Sequence, residues 1–423
     1  MDKLRASVLA AIFAGAAATA AAATPTPEQM WEIIQKQQAQ IEALQRQLAA
    51  TEQGLADTDM KLAETDVKVE ATAEMVEESV LVEGAAMAGS SWAQSTTLGG
   101  YAEMHYNNLD NDRDGGADKD QLDLHRFVLF LGHEFSEKTR FYSEFEIEHA
   151  LVEGGEDSGE VEIEQAYIEH NFGGAQRMKA GLFLMPVGIL NETHEPDTFY
   201  GTERNNVESR IIPTTWWEGG LAMSGEIAPG LSYDATFTSG LFLDPDEGEW
   251  SIRDGRQKVA EANASDPAYT ARLKYTGVAG LEIAGTLQYQ QDLYQGELDS
   301  EVDALLYEAH LIYNNGPFGL RALAAMWDID DGIEAFREGA SEQEGWYVEP
   351  SWRVFDKLGL FARYSEWDNQ AAGGGDTEYN EWDFGLNYWL EENVVFKLDY
   401  QIQDAPRGRD QYDGFNLGVG WSF

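Results

Sequence analysis

The chain has 423 residues, no cysteine, and 76 Asp and Glu against 28 Lys and Arg, a formal charge of −48. Without cysteine it can hold neither disulfides nor thiolate metal sites, and so acidic a surface repels nucleic acid, whose binding needs a basic footprint. An aromatic content of 12% and 42 glycines favour a β architecture, and the length fits two or more ordinary domains or one large barrel with an appendage.

Lys3 and Arg5 precede a mostly alanine run from Val8 to Ala22, and Ala21-Ala22-Ala23 supplies a small-x-small cleavage pattern. Residues 1–23 therefore read as a secretory signal peptide. No later apolar run reaches the roughly 18 residues of a transmembrane helix, so any membrane span must be a closed barrel. Over residues 26–82, Ile34, Ile41, Leu48, Leu55, Leu62, Val69 and Val76 recur every seven residues. Such a repeat predicts a coiled coil, reaching roughly 75 Å from Met30 to Ser79 at about 1.5 Å per residue. Its other seam positions are Gln37, Leu44, Thr51, Thr58, Thr65, Thr72 and Ser79. Threonine weakens that layer, so the arm should depend on being held in an oligomer. A charged linker is the alternative. Residues 83–96, with Gly84, Gly89, Ser90 and Ser91, read as a flexible joint.

From Thr97 onward the hydrophobic period becomes two. Strands are predicted near 97–109, 121–134, 138–150, 160–172, 176–185, 214–225, 231–241, 268–276, 280–290, 301–313, 317–327, 342–353, 358–368, 376–389, 393–403 and 411–423. In the last of these, Phe415, Leu417, Val419, Trp421 and Phe423 share one face, while Asn416, Gly418, Gly420 and Ser422 share the other. Short turns alternate with long connections throughout. That is the order of an antiparallel membrane barrel, with short turns in the periplasm and long loops outside. The expected fold is an all-β transmembrane barrel of sixteen antiparallel strands over residues 97–423, preceded by the α-helical coiled-coil arm. A soluble all-β protein would explain neither the loop order nor the amphipathic last strand.

Sixteen strands leave an aqueous channel. Alternation turns Glu144, Glu146, Glu148, Glu282, Glu308, Glu349, Asp383 and Asp399 inward, together with Arg126, Arg140, Arg177, Lys179, Arg272, Lys274, Arg353, Arg363 and Lys397. The wall is mixed in sign. Selectivity follows charge at the narrowest point, not net charge, and much of the acid excess lies in the arm and loops. The 28-residue loop 186–213 is too long to be a mere connection. Its apolar content (Ile189, Leu190, Phe199, Tyr200, Ile211 and Ile212) should fold it back into the channel. Arg204 and Arg210, with Glu203 and Glu208, are the constriction candidates. Alternatively, Arg204 pairs with Glu208 and Arg210 with Glu203 to hold the loop's shape.

The run from Pro186 to Gly220, PVGILNETHEP followed by FYG, ERN and RIIPTTWWEGG, resembles the phosphate-selective porin O and P family. A coiled-coil arm before such a barrel looks like its DcaP-like members. The resemblance implies a homotrimeric outer-membrane porin, set among lipid and lipopolysaccharide, whose arms form a periplasmic three-helix bundle. It also implies a fold-back third loop and an aromatic end, Phe423, read by the barrel assembly machinery. The departure is charge. Phosphate-specific members carry an arginine ladder and lysines, whereas acids here interleave with the bases, so dicarboxylates or small polar solutes fit as well.

Asp110, Asp112, Asp114 and Gly115 match the start of a calcium loop, but the position needing a bidentate Glu is Gln121. The seven histidines show no paired metal-ligand spacing, and no nucleophile elbow or phosphate loop occurs. No cofactor, metal or enzymatic activity is expected. The reading is a passive diffusion channel for small hydrophilic solutes with a modest anion preference. Its alternatives are a general or cation-preferring pore and an envelope spacer whose arm approaches peptidoglycan.

Overall fold

The computed structural model describes residues 91–152 and 159–423. The expected signal peptide, coiled coil and first part of the joint lie outside the described residues. The strands are β1 (Thr96–Asn111), β2 (Lys119–Ser136), β3 (Thr139–Glu148), β4 (Val161–Gly173), β5 (Gln176–Leu184), β6 (Trp217–Ala228), β7 (Leu231–Thr238), β8 (Ala268–Val278), β9 (Leu281–Gln290), β10 (Ala304–Asn315), β11 (Phe318–Ile329), β12 (Glu342–Phe355), β13 (Leu358–Asp368), β14 (Tyr379–Glu391), β15 (Val394–Asp404) and β16 (Tyr412–Ser422). Each pairs antiparallel with its sequence neighbours, and β1 pairs with β16 to close the barrel. Every boundary lies within three residues of the one expected from alternation.

The pleat explains the agreement. In β15, Phe396 and Ile402 are exposed on the outside, while Lys397, Asp399 and Gln401 on the other face are buried. In β16, Phe415 and Leu417 are exposed and Asn416 is buried. On these strands the outer face is apolar and the inner face polar, the reverse of a water-soluble domain. Closure removes the unpaired edges that an open sheet would present. At the seam Gly100 N–H donates to the Phe423 carbonyl at 3.0 Å and Phe423 N–H donates back at 2.9 Å. Tight turns join the strands at one end. Between β8 and β9, Gly280 has φ +78°, and a Cβ there would sit 2.0 Å from the Asn314 carbonyl oxygen, so only glycine fits.

The segment read as a joint is ordered where it is described. Ser91–Gln94 forms one helical turn, α1. Trp92 lies tilted beside His133 at 5.9 Å between centroids, and Glu134 N–H donates to the Ser95 carbonyl at 2.7 Å. Glycine and serine content could not reveal this docking, because its partners lie on β2.

The apolar core sits inside the barrel, not between layers. Loop side chains Val187, Ile189, Phe199, Val207, Ile211, Leu241, Ile252 and Leu293 pack against Leu306, Leu323, Trp327 and Tyr347 of the wall. This plug fills one side of the lumen and leaves the other to water. Leu417, exposed midway along β16, reports on the lipid face. Leu417→Arg should cost about 2–4 kcal/mol, read by denaturant titration of the barrel in lipid vesicles. A loss below about 1 kcal/mol would place Leu417 off that face.

Candidate channel constriction

The connection between β5 and β6 runs into the lumen. Its fold is organised by two polar side chains. Asn191 donates to the carbonyls of Met185 and Trp216, both at 2.8 Å, and accepts from Trp216 N–H at 2.7 Å, tying the two ends of the loop together. Glu208, on the short helix α2 (Val207–Arg210), accepts from the backbone N–H groups of Ile189 at 2.5 Å and Leu190 at 3.0 Å. The apolar side chains between them anchor the loop to the plug, each burial contributing roughly 1.5–3 kcal/mol.

The loop also bonds to the wall around much of its circumference. Arg126 on β2 donates to the His194 carbonyl at 2.9 Å, Asn387 on β14 to that of Phe199 at 2.9 Å, and Trp327 on β11 to that of Ile211 at 2.9 Å. Thr202 N–H donates to Asp399 on β15 at 2.7 Å. Arg272 on β8 joins Glu192 of the loop at 2.5 Å and Asp234 of β7 at 2.8 Å. Against β16 the loop comes closest where there is no side chain. A Cβ on Gly420 would lie 2.3 Å from Pro196 Cβ.

What remains open is a cavity of about 1860 Å³. Its described lining holds twelve Lys and Arg and eleven Asp and Glu, near balance in a chain that carries 28 bases against 76 acids. Three of the four expected constriction residues line it: Glu203, Arg204 and Arg210. Glu208 does not. It is fully buried inside the loop, where it serves the backbone. The alternative intraloop pairs are also absent. Glu203 instead accepts from Asn107 at 3.0 Å and contacts His105 Nδ1 at 3.0 Å, and Arg204 donates to Thr215 Oγ1 at 2.7 Å.

Of the nine expected wall bases, Arg140 pairs with Glu169 at 2.9 Å, and the other eight divide by depth. Arg126 and Arg363 are buried beside the cavity, bonded to Glu103 at 2.5 Å and to Asp383 at 2.9 Å. Arg272 is neutralised by its two acids. Lys397 lies under the Phe199 ring, 3.5 Å from its centroid. Lys179 lies 4.7 Å from the Tyr167 ring centroid and Arg353 lies 3.7 Å from that of Trp389. Arg177 is exposed and Lys274 half-buried on inward-facing positions near the turns. Most of these bases hold the wall or the loop in place.

Several cavity residues escaped the sequence reading, among them two arginines that touch the inward loop. Arg253 and Arg256, from the connection between β7 and β8, reach the end of the inward loop. Arg253 donates to the carbonyls of Ser209 at 2.6 Å and Thr214 at 3.1 Å, and Arg256 donates to that of Thr215 at 2.8 Å. Among the described residues none of Arg204, Arg210, Arg253 and Arg256 is ion-paired to a carboxylate. Burial, reinforced by Arg256, Arg210 and Arg204, pushes the Arg253 guanidinium down to about 9. Burial and then Arg204 act in the same direction against the carboxylates near Arg256, whose guanidinium is also lowered. The spacing Arg253-x-x-Arg256 in an acidic chain was the available signal. Glu146 and Glu148 of β3 and Glu160, Glu162 and Glu164 at β4 line the same cavity, with Lys258 bridging Glu160 and Glu162. In the calcium-like run Asp118 accepts from Asn111 N–H at 2.9 Å.

Residues 79–406 match the family model described as Gram-negative porin. The chain belongs to the Gram-negative porin family. The porin is 31% identical over 360 residues to a protein of Aquifex aeolicus (strain VF5) described as uncharacterized, covering 78% of this chain and 80% of that one. An anion-selective porin from Comamonas acidovorans shares the fold at TM-score 0.55 and 12% identity, covering 78% of this chain and 99% of that one. The outer membrane channel DcaP of Acinetobacter baumannii does so at TM-score 0.54 and 15% identity, covering 78% and 97%. The porin is thus a bacterial outer-membrane barrel. Gly420→Leu should push Pro196 and its loop from the wall, altering single-channel conductance while the folded barrel keeps its heat-modifiable migration on gels. Unchanged conductance would show that the loop does not depend on this contact.

Proposed function

We propose that the porin is a water-filled channel for passive diffusion of small hydrophilic, anionic solutes of the phosphate or dicarboxylate kind. The observation that carries this reading is the group Arg204, Arg210, Arg253 and Arg256, which line the cavity without a carboxylate ion-pair partner among the described residues. Carbonyl and hydroxyl partners fix the guanidinium groups of Arg204, Arg253 and Arg256 without cancelling their charge. A passing anion can exchange water for these donors. The acids of β3 and β4 create a transverse field that would orient a dipolar or zwitterionic solute. That acidic lane also favours the second reading, a general or cation-preferring pore. The anion selectivity named for the Comamonas neighbour is consistent with the first. The likeness of residues 186–220 to phosphate-selective porins supports the same solute class. The interleaved acids favour a broader substrate range than phosphate alone.

The test is the reversal potential across a planar bilayer under a salt gradient. The double variant Arg253→Ala and Arg256→Ala should lower the anion-to-cation permeability ratio by roughly two- to tenfold. A unit charge about 8 Å from an ion in water contributes about 0.5 kcal/mol, cut to about half by 0.1 M salt, and two charges acting oppositely on anion and cation then give roughly this factor. A strong cation preference in the unmodified porin would overturn the anion reading, and absence of conductance would overturn the channel. The porin assembles as a homotrimer on this reading, with residues 26–82 as its periplasmic coiled coil and Phe423 as the signal to the assembly machinery. Deleting residues 26–82 should weaken the trimer in sedimentation while sparing conductance. A changed envelope spacing with an intact trimer would favour the spacer function and proximity to peptidoglycan.

A further inference from the structure

Three buried side chains from three separate elements converge where the inward loop meets the wall. They are Glu144 of β3, Glu164 of β4 and His194 of the loop, each at most 3% exposed. His194 Nε2 lies 3.5 Å from Glu144 Oε1 and 3.5 Å from Glu164 Oε2, and one donor atom from each of the three residues falls within 4.8 Å of the others. All three atoms are buried without a hydrogen-bond partner. A tetrahedral ion with bonds of about 2.0–2.1 Å separates its ligands by about 3.3 Å, close to the distances found.

The neighbours are compatible with the state a cation needs. His194 Nδ1 lies 3.1 Å from the Asn191 carbonyl. A proton on Nδ1 satisfies that acceptor and leaves the Nε2 lone pair facing the carboxylates, the usual arrangement behind a metal-bound imidazole. Asn191 is itself fixed by its three loop bonds. Gln165 donates to Glu144 Oε2 at 2.7 Å, which leaves Oε1 free. Arg126 holds the His194 carbonyl. Glu164 also lines the open cavity, which gives an ion access from water.

We propose that Glu144, Glu164 and His194 bind a divalent transition-metal ion, with Zn²⁺ as the reference, and that the ion staples the constriction loop to the barrel wall. One imidazole and two carboxylates suit zinc and its first-row neighbours, whereas calcium requires six to eight oxygens. The histidine spacing in the sequence gave no sign of this site, because its ligands are 20 residues apart at the nearest and meet only through the fold-back of the loop. The competing arrangement is a protonated His194 held between two carboxylates with no metal.

The two are separated on the full-length porin in detergent, stripped with EDTA and titrated with Zn²⁺ by calorimetry. The expected result is one saturable Zn²⁺ per chain, weakened roughly 100-fold or more in His194→Ala and in Glu164→Gln. That exceeds the about 10–100-fold loss typical of removing an outer partner, which Gln165→Ala should show. Ca²⁺ should not compete. Absence of saturable binding overturns the proposal, as does Zn²⁺ affinity unchanged in both ligand variants or lost in His149→Ala but retained in His194→Ala. Displacement of Zn²⁺ by equimolar Ca²⁺ also overturns it. Should the variants fail to form barrels, Co²⁺ binding to the unmodified porin decides. Visible absorption of a low-coordinate nitrogen-ligated ion, abolished by Zn²⁺, is expected, and its absence overturns the site.

Discussion

A strand in a membrane barrel has one face in hydrocarbon and one in water, and the pleat allows no residue to choose. That constraint sets everything else here. Phe396 and Ile402 must point out because Lys397, Asp399 and Gln401 must point in. The lumen is then polar and too wide for wall side chains to fill. A sixteen-stranded wall could enclose only water unless another part of the chain entered it.

The connection between β5 and β6 is that part, and it is a hybrid. Val187, Ile189, Leu190, Phe199, Val207, Ile211 and Ile212 join an apolar core with β10, β11 and β12 and with other loops. Glu203, Arg204, Asn206, Ser209 and Arg210 present polar groups to the pore. The core holds the loop, while Asn191 and Glu208 satisfy the backbone groups that a buried irregular segment would otherwise strand. The lumen wall is shaped to receive it. The inward glycines of β16 leave room for Pro196 and Thr202, and several wall bases are spent on loop carbonyls or on ring faces. Arg204, Arg210, Arg253 and Arg256 face the cavity with no ion pair among the described residues.

Legibility followed the range of the interaction. Strand number, order and orientation came from a period of two and alternating connection lengths, both local properties. The inward direction of Arg126, Arg363 and Lys397 came with them. The role of each base did not. Arg363 is neutralised between Glu349 and Asp383, Lys397 sits on a ring, and Arg253 bonds to the carbonyls of Ser209 and Thr214 with no ion pair among the described residues. Nothing in a strand's own sequence distinguishes these outcomes, because the deciding partner lies on another element. Glu208 illustrates the error this produces. Beside two arginines in a polar run it looked like a pore charge, yet it is an internal anchor for Ile189 and Leu190.

By itself the sequence determined the barrel, its lipid face and the presence of an inward-folding loop, since side-chain alternation and apolar content act locally. Only the tertiary structure decided which charges meet water. It brought Arg253 and Arg256 to the end of the loop and placed His194 between Glu144 and Glu164. Those arrangements depend on where the loop crosses the lumen, and that position is set by packing and hydrogen bonds between residues distant along the chain.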